Sequence, residues 1–168
     1  MKKKRAIYAG TFDPLTLGHL DIIERGAEIF DRVLIAVVSE PVKNNTFSIE
    51  ERLDMVGAVV KGMDNVEVGP FDGLLVEFAR RKRYHVLLRG LRAYSDFENE
   101  FQMALTNRKL APEIETLFMM PKESHSYVSS SAVKEVAIHG GDIGGFVPPY
   151  VEEALRKRFS AGKSGNQA

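Results

Sequence analysis

Tyr8-Ala9-Gly10-Thr11-Phe12-Asp13-Pro14-Leu15-Thr16-Leu17-Gly18-His19 decides how the rest of the chain is read. The apolar run Ala6 to Ala9 stops at Gly10 and gives way to a turn-rich segment. Asp13-Pro14 is a turn pair, because proline fixes its own φ and pushes its predecessor out of the helical region. A helical pattern begins near Gly18, so the stretch reads as strand, tight loop and helix start. Such a turn points backbone N–H groups and a positive helix end at one spot, where a phosphate can sit. Thr11 adds a hydroxyl and His19 an imidazole. A ligand-free reading also stands: many α/β proteins turn this way without binding anything, and a histidine here can simply cap the helix.

Outward from that loop, strand and helix alternate. Leu20, Ile22, Ile23, Ala27 and Phe30 recur at near-helical spacing. Arg32 to Val38 is almost uniformly apolar and β-branched, as a strand covered on both faces should be. A polar loop, Ser39 to Asn45, carries one lysine, Lys43. Ser48 and Glu51 have capping-box spacing, so a helix is predicted from there to about Lys61. A short strand over Val66 to Val68, a helix over Leu74 to Lys82 and a strand over Val86 to Leu88 follow. Asp96 to Leu110 is a charged helix whose inner face is read as Phe97, Phe101, Ala104 and Leu105. Glu115 to Met120 is the last strand, and helices over Ala132 to Ile138 and Tyr150 to Phe159 close the chain. The fold class is therefore α/β: a single-domain, Rossmann-like, doubly wound parallel sheet of about five strands with a C-terminal helical segment. Ser160 to Ala168 reads as a disordered tail.

Two further loops fall at strand ends, where open α/β sheets bind ligands. Arg89-Gly90-Leu91-Arg92 can offer forked donors to adjacent phosphates, or be two solvated arginines. His125 to Ser131 ends in three serines at a helix start, which is either an anion cradle or redundant capping.

Composition narrows the field. With 168 residues, 44% hydrophobic and 27% charged, the chain has the make-up of an ordinary globular domain. Lys plus Arg equals Asp plus Glu at 23 each, so no net field draws it to nucleic acid or anionic lipid, and neither partner is expected. Absence of cysteine excludes disulfides, thiolate metal sites and a thiol nucleophile. Lys2 to Arg5 resembles a signal n-region, but the apolar stretch behind it is shorter than the ~7–15 residues needed. The expected location is the cytoplasm. Gly162-Lys163-Ser164 is no P-loop, since Lys157 stands where the first glycine belongs. G-x-G-x-x-G is missing from the first turn and H-E-x-x-H from the chain, which disfavours a nicotinamide dehydrogenase and a protein-held metal.

Together, Gly10 to Pro14, Thr16-Leu17-Gly18-His19, Phe47 to Arg52, Leu88 to Arg92, Asp96 to Glu100 and Val128 to Ser131 resemble the bacterial phosphopantetheine adenylyltransferases, of the nucleotidyltransferase superfamily with an H-x-G-H or T-x-G-H signature. The resemblance runs from about Arg5 to Arg158 and departs at Leu17, where a polar residue such as asparagine belongs. It implies one nucleotidyltransferase domain over residues 1–159 and the reaction of ATP with 4′-phosphopantetheine to give dephospho-coenzyme A and pyrophosphate. By the same resemblance, Thr11, Lys43, Leu75 and Arg89 serve the phosphopantetheine side. ATP falls to Thr11, Phe12, His19, Gly90, Leu91, Arg92, Glu100, His125, Ser126, Tyr127, Val128, Ser129, Ser130 and Ser131. The resemblance further implies that His19, Thr11, Lys43 and Arg89 form the catalytic set, that Mg2+ arrives with ATP, and that the assembly is a homohexamer. Other readings stay open: a relative using nicotinamide mononucleotide, glycerol phosphate or CTP, or a non-catalytic nucleotide-binding module.

Overall fold

The computed structural model describes residues 4–39, 45–92 and 94–160. Its strands are β1 (Arg5–Gly10), β2 (Arg32–Val38), β3 (Val66–Phe71), β4 (Val86–Gly90) and β5 (Glu115–Met119). All neighbours pair in parallel, in the order β3-β2-β1-β4-β5. The helices are α1 (Leu17–Ile29), α2 (Ile49–Val59), α3 (Leu75–Lys82), α4 (Tyr94–Leu110), α5 (Ser130–Ile138) and α6 (Pro149–Ser160). The doubly wound sheet is thus as the sequence predicts.

Period-2 alternation splits the strands between two cores. Ala6, Tyr8, Val33, Ile35, Val37 and Leu88 face one side, against apolar residues of α1, α2, α5 and α6. Ile7, Ala9, Leu34, Ala36 and Leu87 face the other, against α3 and the residues just after α4. Each fully buried isoleucine or leucine contributes about 1.5–3 kcal/mol, and Ile7, Ile35, Leu87 and Leu88 are all buried. Chain order reverses between β1 and β4, so the crevice at their carboxyl ends is the topological switch point.

Three predicted elements need correction. β3 runs through Gly69-Pro70 to Phe71, since an edge strand tolerates a residue with no N–H. β4 runs through Arg89 and Gly90, so these two stand within the strand rather than beyond it. The predicted inner face of α4 is largely uncovered: Phe97, Phe101 and Leu105 are 45%, 46% and 50% exposed. Helical spacing creates an apolar stripe, but it does not say what lies opposite. The tail beyond Ser160 lies outside the described residues.

Candidate active site

A cleft of about 580 Å³ opens at the ends of β1 and β4. The loop leaving β1 supplies Thr11 and Phe12, and α1 supplies His19. Arg89, Gly90 and Arg92 enter from β4 and the turn beyond it, Glu100 from α4, and Ser129 to Ser131 from the start of α5. These sequence-selected residues therefore share one concavity, although they are spread along most of the chain.

His19 is held by its own helix end. Thr16 is the N-cap of α1; its Oγ1 accepts from the His19 backbone N–H at 3.4 Å, and its own N–H donates to His19 Nδ1 at 3.0 Å. A backbone N–H can only donate, so Nδ1 must be the acceptor nitrogen and the proton resides on Nε2. Burial, followed by the positive fields of Arg92 and Arg89, pulls the imidazole pKa down to about 4. At neutral pH His19 is thus a neutral ring with one oriented donor. The ligand-free reading was half right: the histidine does cap the helix, and capping is what fixes its tautomer.

Two of the N–H groups at the α1 start are already bonded within the protein, and Gly18 between them lines the cleft. Leu17 N–H donates to Phe146 O at 2.9 Å, and the His19 N–H is taken by Thr16. Only the backbone of Leu17 is used there, which is why an apolar side chain can occupy that position.

Packing dictates two glycines. A Cβ at Gly90 would lie 2.5 Å from Ile22 Cδ1, and one at Gly18 would lie 3.2 Å from His125 O. Phe12 adopts φ 49, a strained left-handed value for a phenylalanine, and its ring meets Tyr8 and His19 edge-on at 5.5 and 5.2 Å. The Asp13–Pro14 bond in this loop is cis.

Arg89 is not a free fork. Its Nε and Nη2 donate to Glu100 at 2.8 and 2.5 Å, and Nη1 donates to Ala9 O at 2.8 Å. Burial disfavours the Arg89 charge, but the bonded Glu100 carboxylate more than offsets this and raises the pKa above its ordinary value. The expectation of two arginines presenting forks to phosphates is therefore modified: Arg89 reaches the cleft already paired. Arg92 Nη1 donates to Val128 O at 3.3 Å, tying the β4 turn to the segment before α5.

The three serines divide their work. Ser129 Oγ caps α5 by accepting from Ala132 N–H at 3.1 Å, and Ser130 Oγ donates to Pro14 O at 2.8 Å. Ser131 lines the cleft and is exposed.

Other sequence-selected residues lie off the cleft lining. Leu75 opens α3 and packs against the second core. Leu91 N–H donates to Met119 O at 2.9 Å. His125 and Ser126 belong to a 3-10 turn and its cap, Tyr127 is 70% exposed, and Val128 is a core residue. Lys43 lies outside the described residues. Conversely, Tyr8, Asp13, Asn99 and Lys134 line the cleft without having been selected. Lys134 Nζ donates to Asp13 Oδ2 at 2.9 Å. Its position one helical turn after Ser130 was the available signal, since i and i+4 share a face.

Sheet order and cleft position define a doubly wound α/β protein with a ligand-sized crevice at its topological switch point. A family model described as cytidylyltransferase-like matches residues 7–136. A phosphopantetheine adenylyltransferase of Carboxydothermus hydrogenoformans is 55% identical over 154 residues, covering 92% of this chain and 95% of its own. One of Gloeobacter violaceus is 56% identical over 155 residues, covering 92% and 96%. The solved Plasmodium falciparum nicotinic acid mononucleotide adenylyltransferase complexed with NaAD aligns with TM-score 0.70 at 14% identity, over 92% of this chain and 95% of that one, a likeness of fold. The chain belongs to the cytidylyltransferase-like family and, within it, to the phosphopantetheine adenylyltransferases.

Proposed function

We propose that the cleft transfers the adenylyl group of ATP to 4′-phosphopantetheine, giving dephospho-coenzyme A and pyrophosphate, a step of coenzyme A synthesis. Relatives of that name, more than half identical over most of the chain, support this activity. The observation that carries the chemistry is His19, a neutral imidazole whose Nε2 proton is fixed by its own N-cap in a cleft that Arg89 and Arg92 also line.

An oxygen of the acceptor phosphate attacks the α-phosphorus, a new P–O bond forms, and the bond to the leaving pyrophosphate oxygen breaks. The attacking oxygen is already an anion, so no protein nucleophile or strong base is needed. In-line placement of two repelling anions and donors for the shifting charge are needed instead. In this reading Thr11, Lys43, Leu75 and Arg89 serve the acceptor. His19 donates to the transferred phosphoryl group as negative charge builds, while Phe12, Glu100 and the 125–131 segment border ATP. Gly90 and Leu91 border ATP too, and Arg92 with Ser129 to Ser131 holds the β- and γ-phosphates that leave as pyrophosphate. Mg2+ would come with ATP, held by phosphate oxygens and water. The two cleft carboxylates are already committed, Asp13 to Lys134 and backbone N–H groups and Glu100 to Arg89. The described residues offer no cluster of three or more His, Cys, Asp or Glu side chains fit for a metal.

The cytoplasm and a homohexamer belong to the same reading. No helix among the described residues is long and apolar enough to cross a membrane. The uncovered stripe of α4, with Phe97 and Phe101 stacked at 5.5 Å, supports an assembled state, which light scattering on the purified protein tests. The activity is tested by pyrophosphate release from ATP and Mg2+ with phosphopantetheine, set against nicotinamide mononucleotide, glycerol phosphate and CTP. Turnover confined to the phosphopantetheine and ATP pair is the expected result. ATP binding without turnover on any acceptor overturns the reading.

A further inference from the structure

Arg52 is an arginine in the core. It stands in the first half of α2, is only 1% exposed, and belongs to the Phe47 to Arg52 motif, to which the reaction assigns no role. Burying a cation is costly, so packing alone is poorly served by this residue. Its described acceptors are all main-chain carbonyls: Nη1 donates to Thr11 O at 2.8 Å and to Val38 O at 2.9 Å, and Nε donates to Phe47 O at 3.3 Å. Val38 ends β2 and Phe47 immediately precedes the N-cap of α2, so two of the three carbonyls mark the ends of the β2–α2 connection. The third belongs to the cleft residue Thr11. Asp13, two residues further along the same loop, accepts from Thr46 N–H and Phe47 N–H at 2.9 Å each. The β1–α1 loop is therefore tied to the start of α2 by donors from one side and acceptors from the other.

We propose that Arg52 is a positioning residue for the adenylyl acceptor, its guanidinium locking the Thr11 backbone to both ends of the β2–α2 connection. The inference rests on the functional reading above, in which Thr11 orients the acceptor phosphate. The chemistry explains the choice of arginine. A planar fork satisfies several carbonyls in fixed directions, whereas an ammonium is a single point of charge. The carbonyls of three segments are otherwise left facing one another in a buried space. Losing the fork lets Thr11 drift, and displacements on the order of 1 Å can cost about a hundredfold in productive alignment. The nucleotide wall, built from β4 and α5, is not attached to Arg52 in any described bond.

Arg52→Lys and Arg52→Met are compared with the unaltered enzyme by steady-state kinetics in both substrates, ATP titration calorimetry and thermal melting. The expected result is a KM for phosphopantetheine raised about tenfold or more, larger for methionine than for lysine, with the ATP Kd, to which Thr11 is one contact among many, within about threefold. Equal loss in both substrates, no change in either, or failure of both variants to fold overturns the inference and leaves Arg52 a plain core residue. If only the methionine variant fails to fold, the lysine variant decides by the same KM and Kd comparison. Absence of turnover in the unaltered enzyme overturns the functional reading and the inference together, whereas normal turnover with unshifted variants sinks the inference alone.

Discussion

Two helices begin at the cleft, α1 and α5, and they begin differently. At α1 most of the first turn is bonded within the protein: Thr16 takes the His19 N–H, Phe146 O takes the Leu17 N–H, and His19 Nδ1 takes the Thr16 N–H, while Gly18 between them lines the cleft. What the helix presents is one imidazole with a determined proton. At α5 the cap is a single serine, a second serine braces the β1–α1 loop, and Ser131 is left at the cleft wall. A closed end fixes the direction of a single donor, which suits a transition state whose charge appears at one place. A more open end suits holding a substrate. Two starts that look alike as polar helix signals thus present different donors to the cleft, and in the proposed reaction they would serve different steps.

The comparison can be broken most sharply at His19. His19→Ala is expected to lower kcat by about 10²–10³-fold, the usual effect of removing one transition-state donor. ATP affinity by calorimetry should hardly move. His19→Gln, whose amide N–H falls near the position of Nε2, should recover part of the rate. A kcat near that of the unaltered enzyme in the alanine variant would remove the residue from catalysis. At the other helix, Ser131→Ala is expected to raise the ATP KM about tenfold, as loss of a hydrogen bond to a charged group does. Its kcat should change much less, and the reverse split would erase the proposed division between the two ends.

The pH dependence sharpens the comparison further. Because His19 is held neutral down to about 4, its protonation should not produce an acid limb in kcat/KM near the ordinary histidine value of 6.5. The sign for stability follows from linkage. Between pH 6.5 and about 4 the unfolded imidazole binds a proton that the folded one refuses, so stability falls as pH is lowered through that window. Chemical denaturation of His19→Gln should show a flatter dependence there. The smallest effect is expected for Thr16→Val. Losing the N-cap oxygen costs about 1 kcal/mol, read as a lower melting temperature, while kcat stays close to normal because the Thr16 N–H still faces Nδ1.

Local chemistry made much of this legible. Apolar β-branched runs announced β1 and β2, and the Ser48 and Glu51 spacing marked the start of α2, whose capping box is present. The loops at Thr11, Arg89 and Ser129 were found because turns at strand ends are where such sheets bind. Misreadings came where a local pattern leaves the partner undefined. Phe97, Phe101 and Leu105 make a helical stripe that the sheet does not cover. The serine run read as either an anion cradle or redundant capping, and only the fold separated a cap, a brace to the β1–α1 loop and a residue at the cleft wall.

By itself the sequence determined the elements, their order and a set of candidate residues for phosphate, since these depend on interactions within a few residues. The tertiary structure alone decided which groups meet: Arg89 with Glu100, Lys134 with Asp13 across 121 positions, and Arg52 with the Thr11 carbonyl across 41. Such pairings follow from how parallel crossovers stack loops at one sheet edge, and spacing along the chain carries no record of that.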